Sequence, residues 1–169
     1  LSLIAFPTRE LFQEKLDQFD LIIFDRYQRR GVLPLLYLEN VARYVEKGGA
    51  VLVSAGDDYA SPLSLYRTPL GQVLPAVPSG RVVDEPFKPQ LTELGEKHPV
   101  TSDLPGAVGD EPSWGRWFRV VEADPRDAEV LMKGAQGKPL LVIGQRGEGR
   151  VALLLSDHAW LWARGYEGG

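Results

Sequence analysis

The segment LIIFDRYQRRGVLPLLYLENVARYVEKGGAVLVS, residues 21–54, carries the reading on which the fold depends. Leu21-Ile22-Ile23-Phe24 is an unbroken apolar run closed by Asp25, which suits a central parallel strand buried on both faces better than an edge strand. From Val32 to Lys47 apolar residues recur at helical spacing, with Leu35, Leu38, Val41, Ala42 and Val45 on one stripe and Gly48 as a left-handed stop. Ala50 to Ser54 is apolar again. Strand, helix and strand at this spacing form a parallel crossover unit with a right-handed connection. The expectation is an α/β sheet with helices on both faces.

On the N-terminal side, Leu3-Ile4-Ala5-Phe6 reads as another short strand. Thr8 is placed to cap a helix over Arg9 to Gln18, where Leu11, Phe12, Leu16 and Phe19 share a face. On the C-terminal side, nine of the 13 prolines fall between Ser61 and Pro112, which leaves room for one short helix within Leu63 to Leu74. Arg81-Val82-Val83 and Pro86 to Leu91 read as short strands or loops. After Trp117 the pattern predicts strands at Phe118–Val121, Val130–Lys133, Leu140–Ile143 and Val151–Leu155, with a Gly-rich hairpin turn at Gln145 to Gly149. One domain spanning residues 1–169 is expected: a doubly wound, mostly parallel sheet with an antiparallel addition in the C-terminal half.

Composition narrows the function. A net charge of −4, from 19 basic and 23 acidic residues, gives no basic footprint for nucleic acid. The densest basic patch, Arg26-Tyr27-Gln28-Arg29-Arg30, is one short loop. No cysteine is present, which removes disulfides, thiolate metal sites and a thiol nucleophile, and two histidines, His98 and His158, are too few for a His-rich metal centre. No metal or cofactor is expected. No apolar run approaches the roughly 18 residues of a membrane span. The chain opens at Leu1 inside an apolar run and closes on Gly168-Gly169, so it reads as a piece of a longer protein.

Polar residues cluster where the predicted strands end. Asp25-Arg26-Tyr27 follows one, Gly56-Asp57-Asp58-Tyr59 the next, and Asp157-His158 the strand from Val151. In an open α/β sheet such ends line a shared crevice, so these nine residues are the candidate ligand site. The plainer reading makes them turn formers and caps. Ser54, Asp57 and His158 are the candidates for catalysis. A serine elbow needs G-x-S-x-G, however, and Leu52 stands where the first glycine belongs. The adjacent Asp57 and Asp58 suit a hard cation only weakly, since no spaced partners accompany them. Gly144, Gly147 and Gly149 feed a strand rather than opening a helix, which favours a hairpin over a phosphate cradle. Trp114, Trp117, Trp160 and Trp162 favour packing; Trp160 and Trp162 would share a face only if that segment is extended. The acidic loops Asp84-Glu85 and Asp110-Glu111 read as solvated turns.

Gly48-Gly49, the strand into Ala55-Gly56, then Thr68-Pro69-Leu70 and Val73-Leu74-Pro75 resemble the class I glutamine amidotransferase-like superfamily. The nearest branch is the putative amidotransferase domains of bacterial membrane proteins, related to the trehalose-utilisation type. His98-Pro99-Val100-Thr101 is similar to a loop of that branch, and Gly149-Arg150-Val151-Ala152 leading to Ser156-Asp157-His158-Ala159-Trp160 to its last strand. The resemblance implies a flavodoxin-like α/β fold. It also implies attachment to a membrane only through segments outside this chain. Working members use a cysteine on the turn after the strand matching Ala50 to Ser54, and a later His-x-Glu pair. Here Ala55, Gly56 or Asp57 stands on that turn, and Trp160 stands two residues after His158. No side chain on the turn replaces the thiolate that a thioester mechanism requires. The expected function is a non-catalytic module binding a small ligand or a protein partner. A hydrolase or transferase using Asp57 or Ser54 with His158 is the alternative.

Overall fold

In the computed structural model, residues 6–29, 31, 33–107 and 111–163 are described. Leu3, Ile4 and Ala5 of the first predicted strand lie outside them, as do Arg30, Val32, Asp110 and the closing Gly168-Gly169. The strands are β1 Ile22–Asp25, β2 Ala50–Ser54, β3 Ala76–Val83, β4 Gln90–Leu91, β5 Val120–Pro125, β6 Glu129–Lys133, β7 Pro139–Arg146 and β8 Gly149–Leu154, and helix α1 is Leu35–Glu46. The main sheet has six strands in the order β1-β2-β8-β7-β6-β4, while β3 and β5 form a separate antiparallel pair. β1, β2 and β8 run parallel; beyond β8 every pairing is antiparallel. The architecture is α/β, and the antiparallel share is larger than the sequence pattern suggests.

One face of this sheet makes the core. Val51 and Val53 on β2 pair in register with Val151 and Leu153 on β8, and all four are buried. α1 lies on β2 and β8 with Leu38, Val41, Ala42 and Val45 turned inward. Leu35, expected on that stripe, is 48% exposed, and Tyr44 is buried in its stead. The Tyr44 hydroxyl donates to Phe19 O at 2.7 Å and accepts from Ala50 N at 3.3 Å, tying the end of the helix to the start of β2. Its ring lies so close to Gly49 that a Cβ there would sit 2.2 Å from it. Gly49 is therefore needed for contact, and Gly48, at φ +115°, for the turn itself. The β7–β8 hairpin turns at Gly147-Glu148 as read from sequence, and Gly147 and Gly149 let it close onto the Glu46 and Val45 carbonyls of α1.

Among the described residues the other face is open. Leu52, Ala152 and Ile143 form one half-buried row across β2, β8 and β7, and Leu154 and Leu141 form the next. No second covering helix is found among the described residues, which corrects the expectation of helices on both faces. β1 is an edge strand among those residues, with Ile23 58% exposed, and not the doubly buried central strand its apolar run implies. The run is explained by its two faces: Phe24 enters the core while Leu21 and Ile23 face the open side. The predicted helix from Arg9 reduces to a π-helical turn Glu10–Glu14 and a 3-10 turn Leu16–Gln18, broken at Lys15 (φ −118°, ψ 9°). The short helix expected in Leu63 to Leu74 becomes two 3-10 turns, Leu65–Arg67 and Pro69–Gln72, capped by Ser64 and Thr68. No helix of the described residues is long and apolar enough to cross a membrane.

Two consequences are measurable. Leu153→Ala opens a hole under α1 and should cost about 2–5 kcal/mol in urea unfolding, whereas Ile23→Ala on the open face should stay within about 1 kcal/mol. Glu122 lies between Arg81 Nη2 at 2.6 Å and Lys138 Nζ at 2.9 Å. Hydrogen bonds first from Arg81 and then from Lys138 hold its pKa down to about 2, from the usual 4.5. Its stabilising contribution is therefore complete above the unfolded value and is lost as pH falls from 4.5 toward about 2. Glu122→Gln should flatten that acid limb in urea midpoints measured across the same range.

Candidate functional site

The ends of β1, β2 and β8 lie side by side because Asp25 pairs with Ser54 and Ser54 with Leu154. The chain turns away from β1 at Arg26, which holds a left-handed conformation (φ 47°) while its N–H donates to Ser54 O at 2.9 Å. A non-glycine residue in that region is uncommon and cost-bearing, so tertiary contacts must hold it. They do: Arg26 Nε reaches Asp157 Oδ2 at 3.0 Å, and the Asp157 side chain is only 6% exposed. The pair packs against Gly56, where a Cβ would meet Arg26 Nε at 3.4 Å and Asp157 Oδ2 at 3.6 Å, an ordinary contact distance.

The turn after β8 is held by Ser156, a residue the sequence reading passed over. Buried Ser156 donates from Oγ to Arg119 O at 2.6 Å and accepts the His158 N–H at 3.2 Å. His158 Nδ1 accepts the Phe118 N–H at 3.1 Å. The ring proton therefore belongs on Nε2, which faces Asp157 Oδ1 at 3.8 Å. Both ring nitrogens are thus turned to groups other than Ser54 and Asp57. The Asp157 Oδ1 atom is itself buried without a hydrogen bond. Arg119, also unrecognised in the sequence, pairs through Nε with Asp84 Oδ1 at 2.9 Å. That hydrogen bond raises its pKa first, with Asp157 and Asp57 adding to the effect.

Of the nine expected crevice residues, Arg26, Gly56, Asp157 and His158 meet in this cluster, and Asp57 stands exposed beside it. Asp25 is exposed, and Asp58 hydrogen-bonds Gln28. Tyr27 lines the small space at the strand ends, with its ring meeting Phe24 edge-on at 5.6 Å and its hydroxyl accepting from Leu33 N at 3.3 Å. Tyr59 is a core residue, 2% exposed, with its hydroxyl donating to Ala76 O at 2.7 Å, and burial pushes that phenol well above its ordinary pKa. The space among Arg26, Ser54, Gly56, Asp58 and Tyr59 is about 10 Å³. That is room for one water at most. No group of three or more acidic, His or Cys residues suited to a metal occurs among the described residues.

The large concavity is elsewhere. A groove of about 1140 Å³ runs over the open face of the sheet, floored by Leu52, Ala152, Leu154, Leu141 and Ile143. The His98-Pro99-Val100-Thr101 loop forms part of its wall. Trp117 and Trp162 line one end, in edge contact at 5.8 Å, and Trp162 packs on Trp114 at 4.4 Å. The segment Ala159–Leu161 is a 3-10 turn, so Trp160 is left 58% exposed, away from this cluster, and the two tryptophans do not share a face. Apolar residues on alternate strand positions are the sequence signal for this groove, and it becomes legible once strand order is known.

No protein-family model matches the chain, and no curated protein matches it in sequence. Solved structures share its fold. Cytoplasmic Protein STM3548 from Salmonella typhimurium is similar over 96% of this chain and 69% of its own, at 23% identity and a TM-score of 0.74. Cytoplasmic Protein STM1381 from Salmonella typhimurium LT2 is similar over 94% and 71%, at 21% identity and TM-score 0.69. The mmIFT52 N-terminal domain is similar over 98% of this chain and 76% of that one, at 16% identity and TM-score 0.65.

Arg26→Ala leaves the buried Asp157 carboxylate without its cation and should cost about 1–3 kcal/mol in urea unfolding. Adding Asp157→Ala should recover part of that loss. A double-mutant cycle with no coupling would mean that the pair does not hold the turn.

Proposed function

We propose that this chain is a non-catalytic binding module with a flavodoxin-like, class I glutamine amidotransferase-like fold, recognising a partner rather than transforming a substrate. The observation that carries the reading is the contrast between its two concavities. The strand-end turn presents Ala55, Gly56 and an exposed Asp57 over space for one water, whereas the sheet face offers a groove of about 1140 Å³. A thioester mechanism needs a thiolate, and the chain has no cysteine. A general base needs a free lone pair directed at the nucleophile. His158 spends one nitrogen on the Phe118 N–H and directs the other at Asp157, which counts against a rebuilt Ser54–His158 or Asp57–His158 reaction. Attachment to a bacterial membrane protein belongs to the same reading on the strength of the resemblance alone.

Incubation of the purified domain with glutamine should release no ammonia above the blank, and His158→Ala should change nothing. Intact-mass spectrometry after exposure to an activated acyl donor should find no adduct on residues 54–59. Turnover abolished by His158→Ala, or acylation of that turn, would overturn the proposal.

A further inference from the structure

We infer that His158 is a proton-operated latch: its neutral ring holds the segment entering β5 through the Phe118 N–H, and on protonation it leaves that donor for Asp157 Oδ1. The inference goes beyond the binding reading and stands whether or not anything occupies the groove.

Both positions of the latch are built into the fold. In the first, His158 Nδ1 accepts the Phe118 N–H at 3.1 Å. A backbone amide nitrogen only donates, so this bond exists while Nδ1 carries a lone pair. The neutral ring then has its proton on Nε2, which faces Asp157 Oδ1 at 3.8 Å, too far for a hydrogen bond. Asp157 Oδ1 is buried and makes no hydrogen bond, while Oδ2 of the same carboxylate is taken by Arg26 at 3.0 Å. A buried acceptor in this condition costs free energy that a donor would recover. The second position is thus an acceptor about 1 Å beyond hydrogen-bond reach of the ring.

Protonation exchanges one position for the other. Histidine is the side chain whose charge changes between about pH 5 and pH 8. A second proton, on Nδ1, sets N–H against N–H at Phe118 and ends that bond. The ring is now a cation, and a charge-assisted bond of about 2.7–2.9 Å to Asp157 Oδ1 becomes available. The His158 backbone stays in place, because its N–H remains on Ser156 Oγ at 3.2 Å and Ser156 Oγ remains on Arg119 O at 2.6 Å.

The surrounding charges favour this direction. Asp157 on the same turn and Asp57 after β2 stabilise an imidazolium, whereas Arg26 after β1 and Arg119 at the entry to β5 oppose it. Each guanidinium already has a carboxylate partner, Arg26 in Asp157 Oδ2 and Arg119 in Asp84 Oδ1 at 2.9 Å. The carboxylate oxygen facing Nε2 therefore decides the outcome.

The exposed surface changes with the latch. Phe118 and Trp160, 49% and 58% exposed, meet the His158 ring edge-on at 6.4 and 6.5 Å from either side. Moving and charging the central ring alters the spacing and charge of this aromatic row. The release stops at Trp117, whose N–H and carbonyl are both bonded to Phe87 at 2.8 Å.

A nuclear magnetic resonance titration from about pH 8 to pH 5 tests the latch, with His98→Gln in every sample to leave one titrating histidine. The His158 ring should titrate. Hydrogen-exchange protection of the Phe118 amide, corrected for the intrinsic rate, should fall about tenfold at the same midpoint. Trp117 should keep its protection. His158→Gln should make Phe118 protection independent of pH, and Asp157→Asn should lower the His158 midpoint by about one pH unit. Should either variant fail to fold, the shared midpoint of ring and Phe118 amide decides by itself. Phe118 equally protected at both ends of the titration, a pH dependence that survives His158→Gln, or a midpoint unmoved or raised by Asp157→Asn would overturn the inference. None of these readouts involves ammonia release from glutamine, so the latch and the binding reading fail separately.

Discussion

The parallel pairing of β2 with β8 is the contact on which the rest of the molecule depends. It joins Ala50–Ser54 to Gly149–Leu154, segments from opposite halves of the chain. A sheet has a side-chain period of two, so a slip of one residue would send Val51, Val53, Val151 and Leu153 to the open face and raise Leu52 and Leu154 against α1. The register is therefore fixed by burial. The same register delivers Ser54 and Leu154 to one level, and so brings the turns that follow them within reach of each other.

Glycines and one tyrosine make that pairing compatible with the helix above it. Gly49 accepts the Tyr44 ring, and Gly147 and Gly149 accept the last carbonyls of α1, so the hairpin and the helix end close on each other without side chains between them. Backbone donors are met in the same place: Glu148 N reaches Glu46 O at 3.0 Å and Arg150 N reaches Gly49 O at 3.1 Å. The end of α1 is thus satisfied by the sheet it covers.

At the opposite end of these strands charge is used for structure. Arg26 and Asp157 close the turns on each other across Gly56, Ser156 pins the segment before His158, and His158 caps a backbone N–H. A buried carboxylate that is paired on one side only tolerates little displacement, because removing its partner exposes the full desolvation penalty. The result is a rigid rim with no room behind it, while apolar surface collects on the uncovered face.

The residues state some of this by themselves. Local periodicity was enough for α1, for β2, for the β7–β8 hairpin and for the pairing of α/β and antiparallel halves, because each depends on spacing within a few residues. That the chain has no cysteine was legible by inspection. Whether Ile23 is covered, whether Tyr59 faces ligand or core, and where Trp160 points were not, because each depends on what packs from a distant segment. Asp157 reads as one more strand-end carboxylate until Arg26 is brought beside it, and the groove does not exist until β2, β8 and β7 are laid in order. Sequence determined which segments have two faces; tertiary structure decided which face was covered, since burial is a property of neighbours and not of the residue that is buried.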